Sequence, residues 1–159
     1  MSDNGISQAG ATTISEAISI NVTLTEFYMD FNDLHDDDAV VLSRDVSKTK
    51  SMTILNIGSN KISAVGAKAI ANRLAHNMSL KEPCMDYNAI GKDGATALAE
   101  AIITNKTLDK LSFYQDKTID EESAMLAIAV APPSPTPQAL MCNFLSEVLC
   151  VKVFASAPA

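Results

Sequence analysis

The sequence predicts an α/β fold in which strand–helix units stack in a row, and two observations predict it. The first is an internal period of 28 residues: Asn32, Asn60 and Asn88 mark it, and Asp116 continues it. Leu34, Ile62 and Ile90 follow two positions later, with Ile6 one period ahead, and Leu24, Met52, Leu80 and Leu108 hold another phase. The second observation is that apolar spacing changes within each period. It passes from the alternation of a strand to the i, i+3, i+4, i+7 pattern of a helix. One such unit cannot bury its apolar face, but stacked neighbours share a continuous core.

The elements follow in order. Ala11, Ile14, Ser15 and Ile18 predict a first helix over residues 9–20, with neither a strand nor a polar cap before it. The first strand, around Glu26 to Asp30, is therefore expected at a sheet edge, with Phe27 and Met29 facing inward. This start would suit a segment of a longer array or a shortened product. Ala39, Leu42, Ser43 and Val46 give the next helix, and Leu55 and Ile57 the next strand. Ala67, Ile70, Ala71 and Leu74 are the third helix, followed by a strand that carries Pro83 where the other units have Phe27, Leu55 and Leu111. Proline lacks a ladder donor, so this strand is expected to be weakened. Ala95, Leu98, Ala99 and Ile102 form the fourth helix; Ser123, Leu126, Ala127 and Val130 form a fifth. Between these last two, Tyr114 to Ile119 drifts by one residue, which predicts a bulge or longer turn. A small pair opens the helices as Gly10-Ala11, Gly66-Ala67 and Gly94-Ala95, with Asp38-Ala39 as the variant.

The repeat domain thus covers residues 1–130. Residues 131–137, rich in proline, predict an extended linker. The tail, 138–159, is too apolar for an exposed helix; it reads as a C-terminal cap, a membrane or partner contact, or an unstructured end. The docked cap is the expectation taken forward.

Composition narrows the class. The chain has 159 residues, 47% apolar and 19% charged, which excludes disorder throughout. A formal charge of -7 disfavours nonspecific nucleic-acid binding and favours basic partners. The first residues lack the pattern of a secretory signal, and the three cysteines do not make a disulfide framework. A reduced, cytoplasmic protein without a membrane span is expected.

The units NKISAVGAKAIANRLAHNMSL and NAIGKDGATALAEAIITNKTL resemble leucine-rich repeats of the ribonuclease-inhibitor-like subfamily. That subfamily occurs in ribonuclease inhibitors, nucleotide-binding leucine-rich-repeat receptors, Ran GTPase-activating proteins and tropomodulins. The resemblance covers residues 4–130. It implies a right-handed solenoid with a curved parallel inner sheet and outer helices, of about 4.5 repeats. The asparagines at 32, 60 and 88 fall where such repeats turn out of the strand, so their amides are expected to satisfy turn backbone groups.

Chemistry-bearing residues are few. His35-Asp36-Asp37-Asp38 lies at a helix start, where carboxylates are favoured by the dipole, so a solvated helix entry is expected rather than a metal site. Asn21, Asn77 and Asn105 begin glycosylation-type triplets, but they recur with the repeat as helix-terminal residues. His35, His76 and Cys84 share no phase that would make a catalytic group, and Gly91 and Gly94 belong to a helix start rather than a phosphate loop. No enzyme activity, cofactor or metal is expected.

The outward strand residues carry the functional signal. They form columns across the units: Glu26, Ile54, Glu82, Lys110; Tyr28, Asn56, Cys84, Ser112; Asp30, Gly58, Asp86, Tyr114; Phe31, Ser59, Tyr87, Gln115. Tyr28, Phe31, Tyr87 and Tyr114 sit among Glu26, Asp30, Glu82 and Asp86, with Asn56 and Lys110 between. Aromatic anchors among charges resemble a protein-binding surface, and the carboxylates favour a basic protein partner. The expected function is a non-catalytic interaction module. A GTPase regulator of the Ran GTPase-activating type, or an uncapped fragment of a larger receptor-like repeat protein, is the alternative.

Overall fold

A computed structural model describes residues 2–6, 8–113 and 140–142. Helices and short strands alternate: α1 (Gln8–Ile20), β1 (Glu26–Tyr28), α2 (Asp36–Val46), β2 (Ile54–Asn56), α3 (Ala64–Leu74), β3 (Glu82–Cys84), α4 (Gly91–Thr104) and β4 (Lys110–Ser112). A further strand, β5 (Leu140–Cys142), pairs in parallel with β4. All five lie in one parallel sheet in chain order, with β1 at its edge. The expected bulge at 114–119, the fifth helix, the linker and most of the tail lie outside the described residues.

The register follows the sequence period. Phe27 pairs with Leu55, and Leu55 with Pro83. Leu34, Ile62 and Ile90, two positions past each asparagine, are fully buried, as are Met29, Ile57 and Met85. Among the described residues the helices pack on their sequence neighbours, α1 on α2, α2 on α3 and α3 on α4. The result is an α/β repeat fold with one continuous core.

Small residues set how closely the helices approach. A Cβ on Gly94 would lie 2.9 Å from Ala67 Cβ and 3.3 Å from the Ala64 backbone of α3. One on Gly66 would lie 3.0 Å from Ala39 Cβ of α2. Gly10 holds the same phase on α1, and a Cβ there would meet only its own repeat, at Ile6 Cγ2 3.1 Å away. Gly94→Ala should therefore destabilise by about 1–3 kcal/mol through overpacking. In Gly10→Ala the new Cβ meets only the Ile6 side chain, which is half-buried and must give by a few tenths of an ångström. Helix propensity of up to about 1 kcal/mol should offset that contact and leave the variant far less affected than Gly94→Ala. Urea unfolding of the two variants checks the contrast; equal effects would mean that packing between repeats does not select glycine.

Pro83 does not abolish its strand, and the sheet's alternation explains why. Met29 N–H donates to Asn56 O, Ile57 N–H to Cys84 O and Met85 N–H to Ser112 O, each toward the next strand. Position 83, two before 85, faces the same way, so the missing donor is lost only on the β4 side. Pairing with β2 keeps three residues, whereas pairing with β4 is reduced to Cys84 with Ser112.

Two asparagine ladders stitch the repeats. Asn60 Nδ2 donates to Ile57 O and Gly58 O of its own turn and to Met29 O of the preceding one, while its Oδ1 accepts from Leu34 N. Asn88 repeats this with Met85 O, Asp86 O, Ile57 O and Ile62 N. At the edge, Asn32 Oδ1 accepts from the backbone of Asn4 and Ile6. Residues before α1 thus lie along the first turn and supply polar contacts that the sequence reading did not foresee; Asp3 N also donates to Asp30 O.

The second ladder corrects the reason given for Asn21, Asn77 and Asn105. Asn105 is extended (φ -71°, ψ 141°), not a left-handed helix terminus. Its Oδ1 accepts from Thr107 N and Leu108 N, as Asn21 does from Thr23 N and Leu24 N, and Asn77 from Ser79 N and Leu80 N. These side chains bend the chain from helix into strand.

The acidic run also departs from expectation. Only Asp37 is exposed. Asp38 is buried, and its Oδ2 accepts from His35 N across the helix start. Asp36 leaves its own helix: Oδ1 accepts from Ser63 N (2.7 Å) and Gly66 N (2.9 Å), and Oδ2 from Ser63 Oγ (2.6 Å). Burial alone would raise its pKa, but these bonds from the start of α3 outweigh it and hold the carboxyl below its ordinary value.

Candidate protein-binding face

The side of the sheet away from the helices collects the candidate residues. Strand register aligns Glu26 with Ile54 and Glu82, and Tyr28 with Asn56, Cys84 and Ser112. Glu26, Tyr28 and Glu82 are exposed; Asn56, Cys84 and Lys110 are half-buried. Asn56 serves its own turn, since its Oδ1 accepts from Gly58 N. Tyr114 lies outside the described residues.

Asp30, Phe31, Asp86 and Tyr87 are not on strands, contrary to the sequence reading. β1 ends at Tyr28 and β3 at Cys84, and the chain turns immediately beyond. Phe31, Ser59 and Tyr87 share one phase and one left-handed conformation, with φ of 54°, 52° and 56°. Bonds from repeat to repeat hold it: Phe31 N donates to Gly58 O, and Ser59 N to Asp86 O. A serine suits such a turn, whereas a bulky aromatic side chain is rarely placed there. Phe31 is nevertheless 61% exposed and Tyr87 50%. The signal available in the sequence was the phase itself, which places Asp3 and Ser59, both turn residues, beside two aromatics.

Electrostatics on this face are acidic. Asp30 Oδ1 accepts from Ser2 Oγ, and Asp86 Oδ1 from Ser112 Oγ. Tyr28 Oη donates to Glu26 Oε2 at 3.0 Å, and that bond, with a smaller contribution from burial and the charges of Glu26, Glu82 and Asp30, raises the phenol above its ordinary pKa. Burial pushes the Cys84 thiol up to about 11, so it is no nucleophile near neutrality. Farther along the turns, Lys61 pairs with Asp33 and holds its carboxyl below the ordinary range. Among the described residues no group of three His, Cys, Asp or Glu side chains is placed to hold a metal ion. No helix there is long and apolar enough to cross a membrane.

Residues 49–71 match the family model for the leucine-rich repeat. The fold is similar to a solved structure titled "Leiomodin-1 Actin-Binding Site 2 (ABS2)", with a TM-score of 0.70 and 22% identity. That likeness covers 80% of this chain and 73% of the other. No curated protein was matched. Both likenesses support a leucine-rich-repeat fold.

Proposed function

We propose that the chain is a non-catalytic protein-interaction module of the ribonuclease-inhibitor-like type, a right-handed array acting in the cytoplasm. It binds a basic protein surface through the open side of its sheet and the adjoining turns. One observation carries this reading: Phe31 and Tyr87 are exposed aromatics held in a backbone conformation that aromatics disfavour, each beside a carboxylate, Asp30 or Asp86. The left-handed backbone there is one that favours other residue types, and exposed aromatics are effective anchors. The leiomodin structure is titled an actin-binding site, so actin is the first partner to offer. A GTPase-regulating role rests on the sequence resemblance alone, and stimulated GTP hydrolysis would be its signature.

The test is capture of purified actin by the immobilised chain, with Asp30→Asn, Asp86→Asn and Tyr87→Ala combined in one variant. Capture should weaken by at least roughly tenfold while the far-UV circular dichroism is unchanged. Unaltered capture would remove this face as the site, and absence of capture would remove actin as the partner.

A further inference from the structure

The turns that follow β1, β2 and β3 share a backbone but not their side chains. The first and third carry a carboxylate followed by an aromatic, Asp30-Phe31 and Asp86-Tyr87, whereas the middle one carries Gly58-Ser59. Phe31, Ser59 and Tyr87 have the same left-handed φ, so the turn itself does not demand the aromatics. Successive turns are tied directly. Phe31 N donates to Gly58 O at 3.1 Å and Ser59 N to Asp86 O at 2.7 Å. They also approach closely, since a Cβ on Gly58 would lie 3.2 Å from Asp86 O. The two aromatic positions are thereby held two strand steps apart, roughly 10 Å. Between them stands a small, half-buried serine, Ser59, on a bare glycine turn.

A slot of that width suits a cation, and the charge around it favours one. A group centred between the two positions lies about 5 Å from each, within the ~6 Å over which an aromatic ring attracts a cation. Asp30 and Asp86 accept from Ser2 Oγ and Ser112 Oγ, hydroxyls that orient a carboxylate without cancelling its charge. The basic side chains of these three turns, His35 and Lys61, lie against Asp33 instead. Lys110 stands one period past Glu82, at the start of β4, where the next strand begins. An anion would be repelled by the carboxylates, and a neutral apolar group would gain from the rings alone.

Resting on the reading of this face as a partner's docking surface, we propose that the slot between Phe31 and Tyr87 receives a lysine side chain of the basic partner and holds its N-methylated forms best. Methyl groups keep the charge, shed the strong hydration of a bare ammonium and widen the head to meet a ring on either side. The flat guanidinium of arginine stacks on one ring and leaves the other unmatched. This use accounts for aromatics at 31 and 87 and for their absence at 59.

One short peptide in three versions tests the slot: with lysine, with trimethyl-lysine, and with a neutral carbon analogue that carries a tert-butyl head. Each is titrated into the full chain and followed by the aromatic ring signals in nuclear magnetic resonance. The trimethyl-lysine peptide should bind at least roughly threefold more tightly than the neutral analogue. The lysine peptide should bind more weakly than its trimethylated form. Phe31→Leu with Tyr87→Leu keeps apolar bulk and should lose the preference for charge. Ser59→Tyr places a third ring in the gap and should abolish binding with unchanged far-UV circular dichroism, because the same turn already carries rings at 31 and 87. Equal binding of the charged and neutral peptides, no binding of the trimethyl-lysine peptide, or undiminished binding by Ser59→Tyr would overturn the proposal. Actin capture that survives Ser59→Tyr but not the combined Asp30, Asp86 and Tyr87 variant would keep the face as a docking surface and remove the slot. Peptide binding without actin capture would support the slot and remove actin.

Discussion

Asn88→Ala is expected to destabilise the chain by about 3 kcal/mol or more, the largest loss from any polar substitution considered. The side chain is 8% exposed and makes one acceptor and three donor contacts across two repeats. Truncation leaves the Ile62 N–H without its acceptor, beside a residue with no exposed surface. It also strips the Asn88 donor from Met85 O, whereas Ile57 O keeps the one from Asn60 Nδ2, and each buried orphan costs about 1–3 kcal/mol. Asn88→Asp should be nearly as damaging, because a carboxylate cannot donate to those carbonyls. Asn32 provides the control. It occupies the same phase at the sheet edge, where its acceptor serves the half-exposed and exposed backbone of Ile6 and Asn4. Water replaces such bonds, so Asn32→Ala should lose only about 1 kcal/mol. Urea unfolding of the three variants decides the matter. Equal losses at 32 and 88 would mean that the ladder derives its strength from the local turn rather than from joining repeats.

Much of this could be read from the sequence, because the repeat converts a hidden contact into a visible period. Leu34, Ile62 and Ile90 announce their burial by recurring, and Asn32, Asn60 and Asn88 announce turn bonding by residue type and phase. What escaped were contacts made between repeats. Nothing near Asp36 shows that its carboxylate serves Ser63 and Gly66 on the following helix. The strand limit was misread for a similar reason. Alternation carries Asp30 and Phe31 on as strand residues, but the bond from Phe31 N to Gly58 O belongs to a turn imposed by the neighbouring repeat. Aromatics favour strands, which made the misreading natural at this position. Pro83 was legible as a lost donor, but only the direction of that donor, toward β4, shows how little of the strand depends on it.

Phe31→Gly should raise stability while lowering partner capture, and the opposite signs make it the most informative substitution on the proposed face. At φ 54° an L-residue pays about 1–2 kcal/mol that glycine avoids. Glycine returns about 0.5–1 kcal/mol of that through the greater freedom of its unfolded chain. The net expectation is a gain of about 0.5–1 kcal/mol, read as a higher urea midpoint with an unchanged slope. Phe31→Asn should move the same way, since asparagine tolerates this conformation. Tyr87, at φ 56°, should follow in direction. Capture of the partner by the double variant Phe31→Gly, Tyr87→Gly should fall roughly 30-fold or more, as expected for the loss of anchoring aromatics. A surface maintained only for folding would show the reverse: stability would drop with the rings and capture would not change. Higher stability with lost capture would instead mean that these two turns hold strained aromatics for the sake of what they bind.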